Sequence, residues 1–395
     1  MNFDKTFDVL VVGAGVAGVA AALECARAGL HTALVEKTVF VGGLATAGLI
    51  NIYLPLCDGL GHQVTYGMAE ELLCLSLRYG PGDVPAGWRE GRGRYQTPFS
   101  PASFVLALDE ALEEAGVALW LDTLFCRPVM EGTRVVGLEV ENKSGRGVLC
   151  AHCVIDATGD ADVAYRAGAA CAESDNWLSL WAIQASYAKA RQVAAQPEAT
   201  SLLDYVRVGG DARGYGIPPD VAKFSGTDGA QVTRFILESR RLLREHYATN
   251  HALGGDTGRH KLFPVTLPAM AQFRTIRCIV GQATLSAGQD GQFVATSVGL
   301  VPDWRKPGPV WEIPFGVLLP DRVTGLLAAG RCISSQGDAW EVMRVIPPAA
   351  LTGQVAGVAA RLAISADTTP DALDVRAVQR ELQRLAIPLH VGDVR

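Results

Sequence analysis

The first residues able to do chemistry by type and spacing are Gly13-Ala14-Gly15-Val16-Ala17-Gly18. A glycine at 13 permits a tight turn, one at 15 lets a phosphate approach the backbone, and one at 18 lets a helix pack closely on a strand. A phosphate placed there meets the free N–H groups and the positive dipole end of the following helix. An acid stands 23 positions after Gly13, at Glu36, where a carboxylate can accept both hydroxyls of a ribose. The chemistry implied is dinucleotide binding. The competing reading of Glu36 is an ordinary strand-end acid.

These groups need a strand, a turn, a helix and a second strand to hold them, and the chain supplies that order. Phe7–Val12 reads as a buried parallel strand and Gly13–Gly18 as the turn. Val16–Ala28 reads as a helix with Gly29 at its C′ position, and Leu30–Glu36 as the second strand. The apolar run Val9–Leu23 is too short and too glycine-rich for a membrane span. Residues 65–80 and 101–116 read as helices, the second starting at Ser100-Pro101 and stopping at Gly116. Val117–Phe125 reads as a strand leading into a meander, with turns at Glu131-Gly132 and Ser144-Gly145.

Three further segments put small residues where a backbone must come close to a ligand. Val41–Gly48 holds paired glycines directly after Glu36, a feature that a plain nicotinamide-binding domain does not require. Val154-Ile155-Asp156-Ala157-Thr158-Gly159-Asp160 is a buried strand running into Ala-Thr-Gly. Gly325–Cys332 is another such strand, followed by a small-residue helix over Thr352–Ala360 whose N-terminus would favour negative charge.

Taken in order, GAGVAG, VEK, GGLATAG, VIDATGDAD, LLAAGRC and TGQVAGVAA resemble FAD-dependent oxidoreductases of the glutathione-reductase-like (GR2) superfamily. More narrowly, the chain is similar to the bacterial FAD-dependent oxidoreductase family that ends a strand in Gly-Arg-Cys. Arg274–Gly281, Trp311–Phe315 and Met343-Arg344-Val345 are similar to that family as well. The resemblance implies an α/β fold: a Rossmann-like FAD-binding domain of parallel sheet plus β-meander, with a second α+β substrate or cap lobe. Residues 1–165 and 311–365 would form the FAD domain, 166–310 the lobe over the cofactor, and 366–395 a C-terminal helical piece.

The resemblance assigns FAD as cofactor and gives each matching residue a task. Gly13, Gly15, Val16, Ala17 and Gly18 would line the pyrophosphate, and Glu36 would hold the adenosine ribose with Lys37 beside it. Gly42, Gly43, Leu44 and Thr46 would border the flavin side, and the Phe125 backbone would bond to the adenine. Ala157, Thr158 and Gly159 would pass the adenosine half, Gly330 and Arg331 the ribitol, and Leu351, Thr352, Gly353 and Gln354 the isoalloxazine ring. Many relatives carry Gly-Asp where this chain has Gly330-Arg331, so in place of the aspartate's ribitol contact Arg331 would bind through its backbone N–H or contact phosphate.

Oxidation by a flavin needs a base to take a proton. His62, His260 and Glu341 are candidates, with His62 following the glycine loop and His260 reading better as a solvated basic turn. Arg274, Arg277 and Arg344 are suited to bidentate carboxylate binding, or to salt bridges within the fold. Cys150-Ala151-His152-Cys153 invites a redox or zinc reading, but residues three apart on a strand face opposite sides. No second cysteine pair completes a zinc site, and no iron–sulfur spacing occurs, so no metal is expected.

Composition bounds the rest. The chain has 395 residues, 49% hydrophobic and 19% charged, which suits a large core and excludes disorder. A net charge of −6 without a basic block leaves no electrostatic reason to seek nucleic acid or anionic lipid. Nine scattered cysteines and no apolar leader within Met1–Asp8 suit a cytoplasmic protein. Between 166 and 310 the sequence is loop-rich (PEATS, GGDARGYGIPPD, NHALGGDTGRH), with a helix near 229–247, and Ala372–Leu385 reads as an amphipathic helix.

The expected function is oxidation of a small polar molecule by hydride transfer to FAD, with oxygen or a separate protein as acceptor. The alternative is a flavin-carrying subunit that needs a protein partner for electron transfer. A homo-oligomer and a covalent flavin are both compatible with the sequence.

Overall fold

β1 (Asp4–Val12) turns from exposed to buried at Phe7, and Val9, Leu10 and Val11 lose all contact with solvent. α1 (Val16–Arg27) follows, its small apolar residues buried from Val16 to Leu23. Gly29 takes φ +85° just past the Ala28 cap, the left-handed conformation that favours glycine. β2 (Thr32–Val35) lies parallel to β1, with Val9 beside Thr32 and Val12 beside Val35. The computed structural model describes residues 4–89, 96–196, 201–211, 214–217 and 221–395, with the backbone alone at Asp256. Parts of the PEATS and GGDARGYGIPPD loops lie outside the described residues.

A seven-stranded sheet is built around this unit. Its order is Ala118–Trp120, β2, β1, Gly145–Asp156, Arg134–Asn142 and Leu124–Glu131, with Leu326–Ala328 also parallel to Gly145–Asp156. The twelve-residue Gly145–Asp156 strand does two jobs. Its first half closes the antiparallel meander, Cys150 opposite Gly137. Its last three residues pair with Leu326–Ala328, while its other edge follows β1 from Asp4 to Val12. Parallel Rossmann-like sheet and meander therefore share one strand.

The expected Val117–Phe125 strand is two pieces. Ala118–Trp120 pairs with β2, the chain turns at Asp122 (φ +48°), and Leu124–Glu131 opens the meander. The Asp122 and Thr123 N–H groups donate to the Thr38 and Glu36 carbonyls at 3.0 Å, which holds the break in place. The helices are shorter than the sequence reading gives: Met68–Leu77, Pro101–Glu114 and Val375–Arg384. The middle helix is longer, Gly229–Leu253.

The chain divides into two compact units. One holds residues up to Gly43, Ile52–Ala172 and Arg277–Arg395; the other holds Leu44–Asn51 and Glu173–Ile276. The second unit is narrower than the expected 166–310 and gains residues 44–51. The reasons lie in packing. Ala169 belongs to the core of the large sheet, with Ala167 and Cys171 packed against it, and Ser297–Pro302 pairs with Val310–Pro314 inside the first unit. The C-terminal residues are no separate piece, since Val378 and Leu382 are fully buried and Arg361 meets Glu381 at 2.6 Å.

In the second unit, Ser179–Ser186 is the central strand of a three-stranded antiparallel sheet between Asp204–Gly209 and Leu262–Thr266. Helix Gly229–Leu253 covers one face with Phe235, Ser239, Leu243 and Tyr247, a stripe at every fourth position. Asp228 caps it by accepting from the Gln231 N–H at 2.8 Å.

Candidate functional site

The two glycine loops of the first unit meet. Gly42 donates its N–H to the Ala14 carbonyl at 2.7 Å, and a Cβ on Gly43 would stand 2.9 Å from the Gly15 Cα. Gly13 (φ +93°) leaves no room for a side chain, because its Cβ would sit 2.6 Å from the Ala157 carbonyl oxygen. A Cβ on Gly18 would sit 1.9 Å from the Gly13 carbonyl oxygen. Gly15 differs: it is the N-cap of α1, adds no side-chain cap, and faces open space where a Cβ would be. The first N–H groups of α1, at Val16, Ala17 and Gly18, have no helical partner by geometry. An uncapped helix start beside an open glycine and a second glycine turn can accept an anion.

Glu36 closes this corner. It is buried, and one carboxylate oxygen accepts from the Ala14 N–H at 2.9 Å, the other from the Thr38 N–H at 2.8 Å. A carboxylate offers about four acceptor sites, so capacity for a pair of hydroxyls remains. Lys37 is exposed beside it. Leu44 and Thr46 belong to the other unit, Thr46 buried.

At the strand end after Ile155 the structure shows a group that the sequence reading gave no role. Asp156 is fully buried. One oxygen accepts from the Thr158 N–H (3.1 Å) and hydroxyl (2.7 Å), the other from the Val163 and Ala164 N–H groups, both at 2.9 Å. It thereby shapes Ala157–Gly159 and caps the short helix Asp162–Arg166. Burial dominates its ionisation and pushes its carboxyl up to about 6, against the lowering effect of those donors. The signal was available: a charged residue ending an otherwise apolar strand.

Arg331 fills the place of the missing aspartate, with its side chain already engaged. Its Nε donates to the Gly159 carbonyl at 2.8 Å, and Nη2 meets Asp160 at 2.6 Å. Gly330 (φ +78°) donates its N–H to the Thr352 hydroxyl at 3.0 Å. Arg331 is thus a brace between two strand ends.

The helix expected to begin at Thr352 begins at Ile346, with Pro347 and Pro348 in its first turn. Proline in the first turn is a start signal that could have located it. Thr352 and Gly353 therefore lie well inside the helix and not at its dipole end. Gly353 permits close approach to α1, since a Cβ there would stand 2.1 Å from the Ala17 carbonyl oxygen. Gln354 is a cross-link: Nε2 donates to Glu24 at 3.0 Å and Oε1 accepts from the Met68 N–H at 2.9 Å. Leu351 is buried, its side chain 2.8 Å from where a Cβ on Gly299 would be. Phe125 is the second residue of the meander's first strand, and its carbonyl accepts from Arg166 at 3.4 Å.

Among the polar candidates, His62 Nδ1 lies 3.1 Å from Asp58, which also accepts the Leu60 and His62 N–H groups and the Arg395 guanidinium at 2.7 Å. Burial opposes ionisation of Asp58, but these donors together hold its carboxyl below its ordinary value. Glu341 and Arg344 pair with each other at 2.6 Å. Arg277 is buried, meets Asp162 at 2.8 Å, donates to the Asp160 carbonyl and stacks on Tyr165, so its side chain is engaged within the first unit. Arg274 belongs to the second unit and donates to the Gly210 carbonyl at 3.2 Å. His260 lies in the short basic helix Gly258–Lys261.

None of the nine cysteines forms a disulfide. Burial pushes the Cys153 thiol up to about 12, and burial likewise raises Cys25 and Cys332. Among the described residues, no cluster of three or more His, Cys, Asp or Glu could hold a metal, and no helix is long and apolar enough to cross a membrane.

A family model described as "FAD dependent oxidoreductase" matches residues 8–287 and 289–382. Two proteins named thioredoxin reductase match locally. The one from Ureaplasma parvum is 34% identical over 18% of this chain and 24% of its own length. The one from Bacillus subtilis is 31% identical over 21% of this chain and 27% of its own. The chain thus spans about a quarter of the length of these relatives. Among solved structures, a geranylgeranyl bacteriochlorophyll reductase-like protein from Thermoplasma acidophilum is similar over 97% of this chain and 84% of its own, with 16% identity and a TM-score of 0.51. That likeness concerns the fold.

Proposed function

Because the chain belongs to the FAD dependent oxidoreductase family, we propose that it dehydrogenates a small polar molecule at a carbon bearing a hydroxyl or amino group. It is an FAD-dependent enzyme by family. The observation that carries the reading is the meeting of the two glycine loops beside Glu36. Gly15 leaves room that a Cβ would fill, the start of α1 is uncapped, and Glu36 retains acceptor capacity. These residues fit a dinucleotide diphosphate and its ribose.

When bound, FAD supplies the two-electron acceptor for a hydride. The chain's own part is to hold and to deprotonate. The Gly15–Gly18 backbone would hold the diphosphate, and Glu36 would hold the ribose. Asp156 and Arg331 keep the Ala157–Asp160 and Gly330–Cys332 turns in one arrangement. His62 is the base we favour over Glu341, whose carboxylate is already paired with Arg344. A proton on His62 Nδ1, donated to Asp58, leaves Nε2 to take the substrate proton.

The test is anaerobic mixing of the purified yellow protein with small alcohols, amino acids and hydroxy acids. Bleaching of the flavin band by one class supports the enzyme. Bleaching only after a second protein is added transfers the assignment to a flavin-carrying subunit. A colourless protein that takes up no FAD overturns both.

A further inference from the structure

The sheet of the second unit has two faces, and alternation along its strands sorts them. Leu180, Ala182 and Val206 pack with Leu243 and Tyr247 of the long helix. Trp181, Ile183, Tyr205 and Arg207 therefore belong to the opposite face. Trp181 and Arg207 are directly paired across neighbouring strands, as are Ile183 and Tyr205. The Arg207 guanidinium lies over the Trp181 ring at 3.7 Å from its centroid. Phe263, paired with Ala185 on the third strand, adds a half-exposed ring. The Tyr205 hydroxyl accepts from Asn51 Nδ2.

Arg207 has no carboxylate partner among the described residues, and partial burial pulls its pKa down. It contrasts with Arg277, Arg331 and Arg344, each of which meets an acid. Stacking uses only the face of a guanidinium. Its five N–H donors lie in the plane and stay available at the edge. An indole beneath holds that plane still, so little freedom is lost when a flat anion binds.

We propose that Arg207, stacked on Trp181 with Tyr205 two residues away on the same face, is a binding site for the carboxylate of a small molecule with an apolar or aromatic body. The carboxylate would take two in-plane N–H donors of Arg207, and the body would lie along the aromatic side chains. Calling this ligand the substrate rests on the oxidoreductase reading above; the binding itself does not.

The experiment uses the full-length, FAD-loaded protein and benzoate as probe, followed by tryptophan fluorescence, with W181F to identify the responding ring. Benzoate is expected to give a saturable change that W181F removes. R207Q should weaken it about tenfold or more, and R207K should also weaken it, because an ammonium cannot present two parallel donors. Benzamide, neutral and of the same shape, should bind about tenfold more weakly or worse. The proposal is overturned if R207Q binds benzoate as tightly as the parent, if benzamide matches benzoate, or if benzoate produces no saturable change. R207K, which keeps the charge and the stem, serves if R207Q does not fold. Benzoate binding without bleaching by any compound leaves this site standing and removes the dehydrogenase reading; bleaching by a neutral alcohol without benzoate binding does the reverse.

Discussion

Arg331 Nη2 stands 2.6 Å from the Asp160 carboxylate, across 171 residues of sequence. The pair joins the turns at the ends of two adjacent parallel strands, Gly145–Asp156 and Leu326–Ala328. The same guanidinium also holds the Gly159 carbonyl, so one side chain fixes both the position and the orientation of the Ala157–Asp160 turn. Replacing Arg331 by Ala should cost about 1–3 kcal/mol in a urea unfolding series and weaken FAD retention. Replacing it by Lys should recover only part of either, since one ammonium cannot reproduce both in-plane contacts. An unchanged unfolding midpoint in R331A would sink this account.

The glycines separate into those whose missing side chain is required by packing and one, Gly15, that faces open space. A methyl at Gly353 would meet the Ala17 carbonyl oxygen at 2.1 Å, so G353A must push α1 and its partner helix apart and lose about 3 kcal/mol. A methyl at Gly15 would meet nothing within 4 Å, and the residue's φ of −65° suits alanine. G15A should keep its unfolding midpoint within about 0.5 kcal/mol of the parent while binding FAD about tenfold more weakly or worse. Equal stability losses for the two variants would contradict this division.

Asp156 predicts a signed pH effect. Its carboxyl is raised from 3.8 to about 6 in the folded chain, so between those values the folded state holds the extra proton. Stability from this group is full below pH 4 and declines as pH rises to about 6, by roughly 3 kcal/mol in total. The check is the stability difference between the parent and D156N, measured from pH 4 to 7. That difference should fall with pH and then level off. A difference that rises over the window refutes the assignment.

His62 and Asp58 predict a kinetic signature. With the substrate found by bleaching, H62Q should lower kcat by about 10²–10⁴-fold. D58N should lower kcat less, because it changes what holds the imidazole and not the group that takes the proton. A kcat in H62Q equal to the parent's, or a D58N loss as large as that of H62Q, would overturn this assignment.

The thiols give a simpler check. Cys25, Cys153 and Cys332 are buried, with their thiols raised, so iodoacetamide at neutral pH should leave them unlabelled until the protein unfolds. Cys74, which is exposed, should react first. Labelling of Cys153 in the folded protein would reopen the dithiol reading of Cys150 and Cys153.

What the sequence determined by itself is whatever neighbours in the chain impose on one another. Gly13 encodes the turn through backbone freedom and Gly18 the close helix start through the side chain it lacks, and Glu36 follows because the length of α1 and β2 sets where that strand ends. The meander was legible from its turns and its alternating strands. Even here, local reading joined Val117 to Phe125 across a break that is held by hydrogen bonds to Thr38 and Glu36. Only tertiary structure decided what the long-range side chains do. Gly353 and Gln354 look like ligand contacts until α1, Glu24 and Met68 are brought against them. Arg277 and Arg331 look like free cations until Asp162 and Asp160 arrive. Arg207, which no motif marks, emerges because two strands of the second unit pair in the register that lays it on Trp181. A backbone conformation is a property of a few adjacent residues, whereas the partner of a charge depends on which distant segments the core draws together.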